Sequence, residues 1–245
     1  MHALRMATKT EARLLAREPL LLFFGLAFPT LLLVILALVP ALSEPDPNFG
    51  GARFIDYFAP SIIVLTLAMV ALQGMANVLA TYREQGVLRR LSVTPVSPTI
   101  VLVAQLIVNL VIAVTSTALV AIVGRVAFGV PLPQHLLGFV AAFLAGITAL
   151  FGIGMVIAAV SPTARVAQGL ATMAYLVVIF FGGVMLPRFL LPDVIVTLGA
   201  YVPPGVQPLL DAWIGAAPPR GLHLLIMAGI AVVAAAAAAR LFRWE

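Results

Sequence analysis

Apolar runs of about twenty residues recur six times along the chain, separated by shorter polar stretches. A helix needs about 20 mostly apolar residues to cross a bilayer. The pattern therefore predicts spans over residues 20–42, 57–81, 99–124, 136–160, 166–186 and 222–241. The sixth ends in a run of alanines, 234–239, and the fourth carries Gly138, Gly146, Gly152 and Gly154 with Ala141, Ala142 and Ala145. Small residues let helices approach closely, so tight packing is one reading of span four and a hinge is the other. The expected fold class is all-α, a polytopic membrane protein with six transmembrane helices.

Two segments outside the spans have patterns of their own. In residues 1–19, Arg5, Lys9, Arg13 and Arg17 recur every four residues and form one stripe on a helix, with Leu4, Ala7, Leu14 and Leu15 mostly opposite. Glu18-Pro19 breaks the helix before the first span. This predicts an amphipathic amino-terminal interfacial helix, its cations toward anionic lipid or a partner; a solvated basic flank that only sets orientation is the alternative. The six-helix domain then occupies 20–245. Residues 187–221 hold seven prolines around two apolar pieces, 189–198 and 206–214, each too short to cross. Short outer helices, either re-entrant into the outer leaflet or capping the bundle, are expected there, with Gly182-Gly183 permitting a kink and the segment serving as an extracellular gate.

Composition fits this picture. Of 245 residues, 63% are hydrophobic and 9% charged, whereas a soluble domain carries about 25% charged residues. So few charges cannot cover a soluble surface. Cysteine is absent, which excludes a disulfide framework, a thiol nucleophile and a Cys-based metal site. The net charge of +5 is spread along the topology, which argues against nucleic acid as a partner. Six spans place both termini on one side. That side holds Arg5, Lys9, Arg13, Arg17, Arg83, Arg89, Arg90, Arg165, Arg240 and Arg243; the other holds Arg53, Arg125, Arg188 and Arg220. Ten cations against four predict cytoplasmic termini in the inner (cytoplasmic) membrane. A cleaved signal peptide ending near VPALSEP is the competing reading. It is disfavoured by the long flank before the apolar run and by the length of that run.

Inside the spans, Gln73 and Asn77 lie four residues apart, as do Gln105 and Asn109, so each pair shares one helix face. Amides facing lipid are costly. The pairs are expected either to hydrogen-bond between neighbouring helices or to form a polar strip along a substrate path or a permease–permease interface. No acidic residue falls deep in a predicted span, which weakens an ion-driven mechanism. His2, His135 and His223 show no ligand spacing, and no carboxylate pair or Gly-x-Ser-x-Gly site offers catalysis.

The most charged internal stretch is YREQGVLRRLSVTPVSP, residues 82–98. Gly86 interrupts it, residues 87–92 suit one or two helical turns, and Thr94-Pro95 and Ser97-Pro98 are candidate helix starts. A polar hairpin that merely turns the chain is the plain reading. Glu84, Gly86, Arg90-Leu91 and Thr94-Pro95-Val96-Ser97 resemble the E-x-G-x-x-x-R-L-x-x-T-P-V-S signature of ABC type-2 transporter permeases, of the drug-resistance exporter type represented by daunorubicin permeases. The resemblance implies a coupling element that docks on a separate ATP-binding subunit, through Arg83, Glu84, Gly86, Arg89, Arg90, Leu91, Thr94 and Pro95. Arg89 departs from the acidic or polar residue expected there. It also implies a second permease copy or a homologous permease, a hydrophobic or amphipathic cargo, and no cofactor in this chain, with ATP and Mg on the partner. A phosphate-binding loop needs glycines leading to Gly-Lys-Ser/Thr, and the sole lysine, Lys9, has no such surroundings. The alternatives are a secondary transporter acting alone and a non-transporting assembly or immunity protein.

Overall fold

Six helices long and apolar enough to cross a membrane follow one another along the chain: Pro19–Ala37, Phe54–Glu84, Thr99–Phe128, Leu136–Val160, Ala164–Phe181 and Gly221–Leu241. They are called spans one to six. The computed structural model describes residues 2–46, 51–87, 90, 98–186, 188–215 and 218–241. Among these, regular structure is helical apart from one isolated bridge, Pro45 to Arg53. The all-α, six-span class expected from the pattern is the one found.

The boundaries moved where local chemistry outweighs hydropathy. Span one stops at Ala37, five residues short of the expected 42. Val39, the residue before Pro40, is extended at ψ 113°, as the proline ring requires, and residues Pro40–Ser43 form a separate turn. Span two begins at Phe54 and ends at Glu84, three residues longer at each end than the 57–81 expected. Its first turn is fixed by Asp56, which accepts from Arg53 N at 3.3 Å and from Arg53 Nη2 at 2.7 Å. Span three continues past 124 to Phe128, where Gly129 at φ +67° lets Val130 N–H reach back to the Gly124 carbonyl at 2.9 Å. Span five ends at Phe181 rather than 186, because Gly183 at φ +73° turns the chain out.

Span two is the core of the bundle. Nearly all of Ile55–Ala68 is buried, and the main apolar cluster runs along it through Leu72, Met75 and Leu79. Span four packs on span two and on span six at close range. A Cβ added to Gly154 would sit 2.7 Å from the Ala71 carbonyl, and one added to Gly152 would sit 2.8 Å from the Ala234 Cβ. The glycines of span four and the alanines of span six thus serve close contact, the first of the two readings above.

Between spans five and six, two short helices form, Asp193–Gly199 and Val206–Ile214. The first leaves Val194 70% exposed. The second is folded into the bundle: Leu209 and Trp213 are buried, and Trp213 meets Phe139 of span four edge-on at 5.4 Å. Its last turn also accepts from His135 N at 3.0 Å through the Ala212 carbonyl. Arg188 donates to Gln207 Oε1 at 2.8 Å, and Gln207 donates to Asp211 Oδ1 at 2.6 Å. Burial pushes the Arg188 guanidinium below its ordinary value, and the Asp211 carboxylate opposes that shift.

Candidate functional site

The amino-terminal helix, His2–Leu15, packs on span three through a face centred on Glu11, while Arg5, Lys9, Arg13 and Arg17 remain exposed. The cationic stripe is as expected. The apolar face is rotated from expectation: Leu14 is 44% exposed, and the face that docks is Leu4, Ala7, Glu11 and Leu15. A carboxylate is thus carried into an apolar contact. Glu11 is only 7% exposed. Its Oε2 accepts from Tyr82 Oη at 2.8 Å and from Gln105 Nε2 at 2.5 Å, which ties the helix to spans two and three together. Burial pushes the Glu11 carboxyl above its usual range, and the Tyr82 and Gln105 bonds pull it partly back.

These residues border a cavity of about 630 Å³ between the amino-terminal helix and spans one, two and three. All four amides singled out by spacing line it: Gln73, Asn77, Gln105 and Asn109. Each also bonds within the protein. Gln73 Nε2 donates to Thr172 Oγ1 of span five at 3.2 Å, and Asn77 Nδ2 donates to the Gln73 carbonyl at 2.7 Å. Asn109 Nδ2 donates to the Gln105 carbonyl at 2.8 Å and to Gln105 Oε1 at 3.1 Å. Asn77 Oδ1 is buried and accepts nothing. The backbone helps to open this space: Met69–Met75 of span two and Phe23–Ala27 of span one are π-helical, and both segments contribute to the lining. The wider π turn shifts the register of the residues that follow, a device common at functional positions.

At the end of span two, neighbouring residues of opposite charge grip two different helix ends. Arg83 Nη1 donates to the Ala158 and Ala159 carbonyls at 3.0 and 2.6 Å, in the last turn of span four. Glu84 Oε2 accepts from Ala164 N at 2.6 Å, at the first residue of span five. The cation meets the negative end of one helix dipole and the carboxylate meets the positive end of the next. All three bonds satisfy groups that helix ends leave without partners. Thr163 Oγ1 adds its own bond to Val166 N at 3.3 Å. The turn Ser161-Pro162-Thr163 is thereby held against span two, and Glu84, expected to face another subunit, is engaged within this chain.

Gly86, at φ +68°, ends span two, and Arg90 N–H bonds the Gly86 carbonyl at 3.0 Å. Arg90 is exposed. Arg89, Leu91, Thr94 and Pro95 lie outside the described residues, with the rest of 91–97. No group of three or more His, Cys, Asp or Glu able to hold a metal occurs among the described residues.

Sequence reasoning missed Glu11 and Tyr82. The signal for Glu11 was present: it is the acidic member of the helical series Leu4, Ala7, Glu11, Leu15, a charge where the apolar face runs. Tyr82 carried no comparable signal.

No curated protein matches the chain. The family model for the ABC-2 type transporter matches residues 2–206, which takes in the amino-terminal helix, spans one to five and the start of the second short helix. With most of its length matched and six spanning helices in place, the chain belongs to the ABC-2 type transporter family, as a membrane permease component.

Proposed function

We propose that this permease is the membrane subunit of an exporter for a hydrophobic or amphipathic compound, with ATP hydrolysed by a separate subunit that holds ATP and Mg. The family match over residues 2–206 carries this reading. The sequence adds support, because its one lysine, Lys9, lies on an amphipathic helix and not in a phosphate-binding loop. The ATPase docks on residues 82–97, and a second permease copy or a homologous permease completes the pathway. Ten cations on the side of the termini against four on the other favour cytoplasmic termini and the inner membrane.

Pull-down of the tagged chain from its native membrane, with mass spectrometry of the captured proteins, tests the partner. Wild type is compared with Arg90→Glu, which reverses an exposed charge in the loop. An ATPase with a phosphate-binding loop, held by wild type and lost from Arg90→Glu, is the expected result. Absence of any such ATPase even after mild crosslinking would overturn the docking assignment. ATP-dependent loading of lipophilic dyes into inside-out vesicles then tests export; uptake equal with and without ATP would refute it.

A further inference from the structure

The cavity under the amino-terminal helix has the makings of a lipid site. Its 630 Å³ falls in the range of small-ligand sites, about 300–1,000 Å³. Leu21, Phe24, Met69 and Val78 give it apolar walls. Charges of both signs also line it: Arg17, Glu18 and Glu11. Two acceptors have unused capacity. Both bonds to Glu11 fall on Oε2, and Asn77 Oδ1 is buried without a donor. The lining joins the amino-terminal helix to spans two and three, from Tyr82 near the end of span two inward as far as Met69.

We propose that this cavity binds a membrane phospholipid whose head group carries both a phosphate and a primary ammonium, with one acyl chain along Leu21, Phe24 and Val78. The charges select that chemistry. An anionic lipid meets Arg17 but is repelled by Glu11 and Glu18. A simple long-chain amine satisfies the carboxylates and leaves Arg17 without a counter-charge. A quaternary ammonium brings the charge but no N–H for Glu11 or Asn77. A phosphate beside a primary ammonium answers all three demands, through charge-assisted hydrogen bonds. The inference concerns binding and stands apart from transport. An exporter without this site, and a lipid site in a chain that exports nothing, are both physically sound and give different results.

The test is native mass spectrometry of the full chain in mild detergent, with equal amounts of dioleoyl phosphatidylethanolamine, phosphatidylcholine and phosphatidylglycerol. The expected result is retention of the ethanolamine lipid about ten-fold over each of the others, the discrimination that about 1.4 kcal/mol gives. Glu11→Gln with Glu18→Gln should bring it down to the level of phosphatidylcholine. Val78→Trp fills the apolar part, leaves the charges, and should abolish retention; Leu21→Trp is the second filling variant should the first unfold. A diazirine on the acyl chain should label residues 20–24 and 69–78. Equal retention of the three lipids, retention unchanged in the filled variant, label confined to other spans, or displacement by dodecylammonium as effective as by the ethanolamine lipid itself would each overturn the proposal.

Discussion

Glu84 offers the most direct test of how the loop after span two is held. Its carboxylate accepts from the Ala164 amide at 2.6 Å, one of the N–H groups that the start of span five leaves without a helical partner. Removing a side-chain acceptor at a helix start costs about 1 kcal/mol. Glu84→Ala should therefore raise the opening equilibrium of that amide about five-fold. Glu84→Lys adds repulsion from the positive end of the dipole, for a total of about 2 kcal/mol, or about thirty-fold. Glu84→Gln keeps an acceptor and loses the charge, so it should fall between wild type and alanine. Hydrogen–deuterium exchange of a peptide spanning 161–168 in detergent reads this directly, since Ala164 and Val166 supply the affected amides. Exchange in Glu84→Ala within two-fold of wild type would refute the clamp. The result matters for the docking assignment as well. A Glu84 variant that loses the ATPase does not locate a contact, because the same change frees the inner turn; Arg90, exposed and without this role, is the cleaner probe.

The amino-terminal helix should dock more tightly at low pH. Its Glu11 carboxyl is raised in the folded state, so between the ordinary carboxylate value of 4.5 and the raised value the docked form holds more protons than the undocked one, and docking weakens as pH rises through the raised value. Proteolysis of residues 2–15 followed across pH 4–8 should show this, and Glu11→Gln should flatten the profile; a wild-type profile already flat counts against it. Gly154→Val forces a Cβ toward the Ala71 carbonyl and should destabilise the bundle by about 1–3 kcal/mol, read as a lowered midpoint of thermal unfolding; an unchanged midpoint means spans two and four are not in contact. Leu209→Cys should resist an impermeant maleimide while Val194→Cys reacts, since one side chain is buried and the other 70% exposed; equal labelling would place the second short helix outside the bundle.

How much of this was legible follows from which forces act locally. The spans were readable because lipid-facing helices must be apolar over their whole length, and hydropathy records that requirement. Their ends were less readable, because Val39 before Pro40, Gly129 and Gly183 set them through backbone geometry, which a hydropathy sum does not weigh. The amide pairs were legible as faces by their four-residue spacing, but that spans two and three turn those faces to one cavity is a tertiary fact. Glu84 shows the converse. The sequence marks it as special, and its motif implies an external contact, yet its carboxylate is bonded eighty residues away in the same chain. A motif records that a position is constrained, not which neighbour imposes the constraint.

Arg83 and Glu84 also decide which helices feel the loop. From sequence alone, a push on residues 82–97 passes to spans two and three, the helices the loop joins. The clamp adds a shorter route. Span two ends in bonds to the last turn of span four and the first of span five, so displacing residues 83–84 along the span moves the turn 161–163 with them or breaks three hydrogen bonds. Hydrogen bonds to charged groups contribute about 1.5–3 kcal/mol each when shielded, and less at this partly exposed end. Breaking all three costs several kcal/mol at once, whereas carrying the turn along costs only the bending of two helix ends. Span five in turn bonds Gln73 through Thr172, beside the cavity. Movement at the loop therefore reaches the cavity wall from two sides, along span two itself and back through span five. Arg83→Ala with Glu84→Ala should separate the two routes: in complexes of the variant that still hold the ATPase, nucleotide-dependent changes in distance between spin labels on residues 170 and 111 are lost. Distances that respond to nucleotide as in wild type would show that the direct route along span two suffices.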